Sequence, residues 1–213
     1  MRLLFYTIIF LLFNLSCSEE NSIQVSSVEG THLNIESLKT YLPNQYFRET
    51  AIIYRNADDD TVRLETSSNE SIVDRSHNGE NYKTDNFEVT LYDLTKPEFQ
   101  IKLLGTANYY DNEMEELQIS KSIVSILMPF NELGTTIGSI YFENGEAQIR
   151  FGDDFRERIT LHDRTFEEVY VLIGKQGNEI YEAYSALYLN QTVGVVAFRD
   201  EKNELWVFDR FEN

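Results

Sequence analysis

The chain has 213 residues and carries 36 Asp and Glu against 18 Lys and Arg, a formal net charge of −18. That acid excess excludes a nucleic-acid binder, which needs a basic face for phosphates, and it excludes electrostatic attachment to anionic lipid head groups. One cysteine, Cys17, is present, so no internal disulfide can form.

The first predicted element is an export signal. Arg2 supplies a positive charge, and Leu3 to Leu15 follow as a short apolar run through Phe5, Ile8, Phe10 and Phe13. The run falls short of the ~20 apolar residues that cross a bilayer as a permanent helix. Ser16 and Cys17 come next, then the acidic Ser18-Glu19-Glu20. Residues 1–16 therefore read as a signal peptide and 17–30 as a flexible, lipidated tether ending at Gly30. Residues 31–213 read as a single β-rich domain, long enough for a full core.

Leu15-Ser16-Cys17 resembles the lipobox of bacterial lipoproteins, with Asn14 departing from the usual pattern. The resemblance implies an acyl chain such as palmitate on Cys17, and hence a membrane partner reached through lipid. Ser18-Glu19-Glu20 is similar to the surface-export tag of Bacteroidota lipoproteins. A solvated tether has the same composition, so both readings stand. The implied address is the cell envelope: the outer membrane, on its periplasmic side or at the cell surface.

Along the domain, Ile35, Leu38 and Leu42 fall at helical spacing until Pro43 stops them, which predicts a short helix over 34–42. Strands follow. Residues 47–54 alternate, Asp58-Asp59-Asp60 turn, and 62–65 continue. Residues 67–85 read as polar, with Asn78-Gly79 as a turn signal. Phe87, Val89 and Leu91 share one face, as do Phe99, Ile101 and Leu103. Asn144-Gly145 suits a tight hairpin between 137–142 and 147–151. Gly177-Asn178 separates 169–173 from 180–189, and residues 200–203 separate 193–198 from 205–208. No βαβ spacing occurs. The expected fold is an all-β antiparallel meander forming a curved open sheet or half-barrel, with a two-sheet β-sandwich as the alternative. The 14 Phe, 13 Tyr and one Trp either fill a core or line a ligand face.

Phe166-Glu167-Glu168-Val169-Tyr170, Gly194-Val195-Val196-Ala197-Phe198 and Glu204-Leu205-Trp206 resemble the C-terminal part of uncharacterised Bacteroidota lipoproteins. Some of those look like the open half-barrels that carry lipoproteins through the periplasm. The likeness covers 166–208 and brings no catalytic or binding residue with it. Asp60-Thr61-Val62 is similar to the short O-glycosylation motif of exported Bacteroidota proteins.

Chemistry-bearing patterns are sparse. His32, His77 and His162 are scattered without ligand spacing, so no zinc site is expected. Asp111, Glu113, Glu115 and Glu116 crowd one loop and Asp58 to Asp60 another. Both are weak calcium candidates, because neither supplies the glycine of a calcium-binding loop. Asp153, Asp154, Glu167 and Glu168 lie near strand ends, where a carboxylate pair for glycoside hydrolysis would need a fixed separation. There is no Gly-x-Ser-x-Gly elbow, no phosphate loop and no cofactor pattern, and His162-Asp163 is the sole adjacent His–Asp pair. The expected function is a non-enzymatic interaction or envelope-accessory module whose partner, a protein or an apolar small molecule, is unspecified. The alternatives are an acyl-chain carrier and, behind it, a carboxylate-pair hydrolase.

Overall fold

The computed structural model describes residues 27–111, 117–128, 135–143, 146–149, 154–173, 175–176, 179–180, 186–200 and 202–212. The expected signal peptide, Cys17, Ser18-Glu19-Glu20, Glu113, Glu115, Glu116, Asp153 and the turns expected at Asn144-Gly145 and Gly177-Asn178 lie outside them.

The elements in chain order are β1 (His32–Leu33), α1 (Glu36–Lys39), a 3-10 turn (Asn44–Phe47), β2 (Ala51–Arg55), β3 (Thr61–His77), β4 (Glu80–Asp93) and β5 (Lys96–Asp111). Then come β6 (Leu117–Met128), β7 (Thr135–Glu143), β8 (Glu146–Ile149), β9 (Asp154–Leu161), β10 (Arg164–Ile173), β11 (Lys175–Gln176) and β12 (Glu179–Ile180). The last three are β13 (Ala186–Asn190), β14 (Gly194–Arg199) and β15 (Leu205–Glu212).

All of these strands except the β11–β12 pair, which forms its own two-stranded ribbon, belong to one curled sheet, a half-barrel, in the order β8-β7-β6-β5-β4-β3-β2-β15-β14-β13-β10-β9 with β1 added on β4. Two meanders meet where the last strand pairs antiparallel with β2, Phe208 opposite Tyr54. Connectivity explains the curl. The two outermost strands, β8 and β9, are successive in sequence, and Ile149 and Asp154 are five residues apart. A chain of that length spans at most about 18 Å, so a flat sheet with these strands at opposite edges is not available.

The interior is filled from the N-terminal side. Val28, Ile35, Leu38, Leu42 and Tyr46 are all 5% exposed or less and join Leu64, Leu91, Ile101, Leu103, Ile123 and Phe198 in one core. Val28 to Gly30, read from sequence as tether, belong to the folded body. Glu80 accepts from the Val28 N–H at 2.8 Å, and the Gly30 N–H donates to Asn81 O at 3.0 Å. The apolar Val28 is what ties that end down. The expected helix is a single turn, α1, and Pro43 precedes the 3-10 turn that carries Tyr46 inward.

β1 adds parallel to β4, His32 opposite Lys83, an exception to the antiparallel plan. It occupies the side of β4 that β5 leaves beyond the Phe87–Gly105 pair. The buried face of β4 changes there, from Phe87, Val89 and Leu91 to Tyr82 and Thr84. Tyr82 meets Tyr109 of β5 edge-on at 4.9 Å.

A second, smaller core lies on the outer face. β10 breaks its ladder at Glu168, which has φ +52° and is skipped between the Glu167–Arg158 and Val169–Arg156 pairs. Leu161, Ile159 and Phe166 of this hairpin pack with Val196, Ala197 and Val207. A bulge in β14, where Tyr188 pairs with Ala197 and Leu189 with Val195, leaves Val196 without an opposite residue. It thereby sends both Val196 and Ala197 to the outer core.

Candidate functional site

The interior is packed with aromatic rings. Tyr54 meets Phe198 at 5.1 Å, Phe99 meets Phe198 at 5.3 Å, and Phe208 meets Phe211 at 5.1 Å. These rings fill a core, with tilted and edge-on geometries that suit their quadrupoles. At its centre the Val195 N–H donates to Tyr46 Oη at 2.7 Å, and Tyr54 Oη donates to Val195 O at 3.0 Å. Burial pushes both phenols well above their ordinary range. They are neutral structural groups.

One end of the sheet carries a hollow of about 70 Å³, apolar at Val62, Phe99, Phe198 and Trp206 and charged at Asp93, Lys96, Glu98 and Asp200. Trp206 Nε1 donates to Asp200 at its rim at 3.2 Å. A second, between Tyr41, Ile123, Phe142 and Leu189, holds about 20 Å³. Both fall below the ~300–1,000 Å³ of pockets that enclose a drug-sized ligand.

The outer face carries a polar cleft of about 240 Å³ between the β9–β10 hairpin and the β2–β3 turn, lined by Arg55, Asn56, Asp59, His162 and Arg164. Its organising residue is Asp209, the extra residue of a bulge in β15 between the Phe208–Tyr54 and Arg210–Ile53 pairs. Its carboxylate is paired with Arg164, Arg210 and, at 3.4 Å, Arg55. Burial pushes the Asp209 carboxyl up, but Arg164, Arg55 and Arg210 outweigh it and hold it below the usual range. Arg164 also donates to Phe208 O at 3.0 Å and to Asp209 O. Asp59 answers Arg55 at 3.1 Å. These bonds clamp the hairpin over the outer core, and Arg55 Nε is left buried and, among the described residues, without a hydrogen-bond partner. The sequence holds a trace of it: Trp206, Phe208 and Phe211 are two and then three apart, which marks a bulge.

The sequence candidates are dispersed by the fold. Asp111 accepts from His77 at 3.1 Å and from Asn78 at 3.2 Å, and these bonds hold its carboxyl below the usual range. In the Asp58–Asp60 turn the Asn56 side chain accepts from the Asp58 and Asp60 N–H groups, at 3.1 and 2.8 Å, so those acids shape a turn. His32 lies 2.6 Å from Asp85, and His162 contacts Leu205 O at 3.3 Å. Among the described residues no group of three or more His, Cys, Asp or Glu is placed to hold a metal. Asp154 pairs with Arg156, Glu167 pairs with Arg158 at 2.7 Å, and Glu168 serves the kink.

β3, whose outer half reads from sequence as polar, offers a long exposed main-chain run. β2 covers it from Thr61 to Glu65 only. Ser67 to His77 pair with β4 on one side and, among the described residues, with no strand on the other. No family model, curated protein or solved structure matches the chain.

Proposed function

We propose that the chain is an exported lipoprotein, acylated on Cys17, whose half-barrel serves as a non-enzymatic interaction or envelope-accessory module at the outer membrane. The observation that carries this reading is the filling of the half-barrel by its own residues 28–46, with Leu38 and Ile35 each 1% exposed. Each such side chain stabilises its buried position by about 1.5–3 kcal/mol, so the interior is occupied by the chain itself. The chemistry of a module then lies on its exposed edges and faces. An acyl-chain carrier stays the alternative because a half-barrel suits that cargo, and it requires residues 28–46 to leave the interior.

The anchor is tested by fractionation. Cys17→Ser should move the protein from the membrane pellet to the soluble fraction, and a variant that stays in the pellet contradicts the anchor. The carrier alternative is tested by titration with a fluorescent fatty acid, with no saturable binding expected. Saturable micromolar binding would replace the module reading with the carrier.

A further inference from the structure

The edge of β3 between Ser68 and Ser76 has the features of a docking strand. The Thr66 N–H donates to Thr50 O at 2.9 Å, towards the β2 side. The register with β4 then runs without a shift from Glu65–Tyr92 to His77–Glu80. Backbone groups alternate sides along a strand, so Ser68, Glu70, Ile72, Asp74 and Ser76 turn their N–H and C=O groups to the open side. Each lies in an exposed stretch, Ile72 being 62% exposed, and no proline interrupts it. Unpaired edges of this length are templates for another strand. Native chains blunt them with charge, and here the charge is also a pattern.

Side chains of the same five residues share one face, in the order Ser, acid, Ile, acid, Ser. Lys39 reaches Glu70 at 2.7 Å and also Glu36 at 2.8 Å, and Lys83 stands opposite Asp74, with Asp85 opposite Ile72. With these neighbours included, and with His32 on Asp85 at 2.6 Å, Glu36, Glu70, Asp74 and Asp85 stand against Lys39 and Lys83, so the face keeps an acid excess. A second copy of this chain fits poorly: antiparallel self-pairing centred on Ile72 would set Glu70 against Asp74, and each chain carries −18. We infer that the β3 edge from Ser68 to Ser76 docks an extended, basic segment of a partner protein, carrying basic–x–apolar–x–basic residues opposite Glu70, Ile72 and Asp74. Main-chain bonds supply the affinity and the alternating side chains the selectivity, as in strand addition generally. This inference rests on the module reading and names its partner class.

The test uses the full chain and a labelled peptide with a Lys-Thr-Val-Thr-Lys core. Fluorescence anisotropy should show saturable binding that weakens with salt, with slowed amide exchange at Glu70, Ile72 and Asp74. Ile72→Pro removes an outward N–H without touching the β3–β4 ladder, and it should weaken binding about tenfold or more. The charge reversal Glu70→Lys with Asp74→Lys leaves the backbone alone and should transfer preference to a Glu-Thr-Val-Thr-Glu peptide. Binding that neither variant changes overturns the β3 edge and leaves the module reading in place. Absence of peptide binding overturns the inference, and saturable fatty-acid binding in the same preparation overturns the module reading separately.

Discussion

Gly194 holds φ +81° against the ring of Tyr46, and a Cβ built there would lie 2.5 Å from the ring Cζ. Tyr46 is 0% exposed and hydrogen-bonded to the Val195 N–H, so it has nowhere to retreat. Gly194→Ala should therefore destabilise the fold by about 2–4 kcal/mol, from backbone strain and overpacking together. Gly79 separates the two causes. Its φ is +86° and, among the described residues, nothing lies within 4 Å of a built Cβ, so Gly79→Ala should cost about 1 kcal/mol. Urea midpoints of the two variants check both. Gly105 is a related case, since a Cβ there would strike the Phe87 ring. Phe87 covers its cross-strand glycine, and Phe47 closes edge-on over Phe87 at 5.5 Å.

Among the elements, the N-terminal segment decides what the half-barrel contains. Leu38→Ala should lower stability by about 2–5 kcal/mol, read by chemical denaturation, if that segment is core. A small loss with new fatty-acid binding would instead mark it as removable. Glu80 fastens the start of the segment, and the Val28 N–H, with help from Ser27 Oγ, holds its carboxyl below the usual range. Such a group stabilises the fold fully above its unfolded value of ~4.3 and loses that contribution as pH falls through the lower folded value. Amide protection at Val28 and Gly30 should drop in that acid window, and Glu80→Gln should remove the pH dependence.

The elements also show where sequence reading succeeds and fails. β4 and β5 are legible because one buried face imposes alternation, as in Phe87-Val89-Leu91, whereas β14 is legible as a continuous apolar run because both of its faces are buried. Residues 67–85 read only as polar with a turn at Asn78-Gly79, because β3 beyond Thr66 is solvated on both faces, which erases the period of two. The face exchange in β4 hides Tyr82 and Thr84 for a related reason, since it breaks the alternation at mid-strand. The outer core depends on the kink at Glu168 and the bulge at Val196, and no residue type announces either. The site is less legible than the fold: acidic loops stand out in the sequence, whereas Asp209 and the β3 edge act through bulge geometry and missing neighbours.

As a whole, the molecule is a half-barrel with a large inner core and a small outer one, joined by the Asp209 clamp. Arg164→Ala should cost about 1–2 kcal/mol, because its charge-assisted bonds are partly exposed. The loss should be local. Amide exchange should rise at Val196 and Val207 more than in β6, whose Leu127 stands opposite Ile101 in the inner core. Acid should act on the same place, because three guanidinium groups hold the Asp209 carboxyl low. The clamp's contribution is complete above the unfolded Asp value of ~3.9 and is lost as pH falls through the depressed folded value. Faster exchange at Val207 in that range is the expected sign.

The most direct test of the whole account is the native mass of protein purified from membranes. A mature chain starting at Cys17, carrying covalent acyl lipid and no further bound lipid, is the predicted result. An unprocessed leader, an unmodified Cys17, or a non-covalently held acyl lipid inside the half-barrel would contradict it.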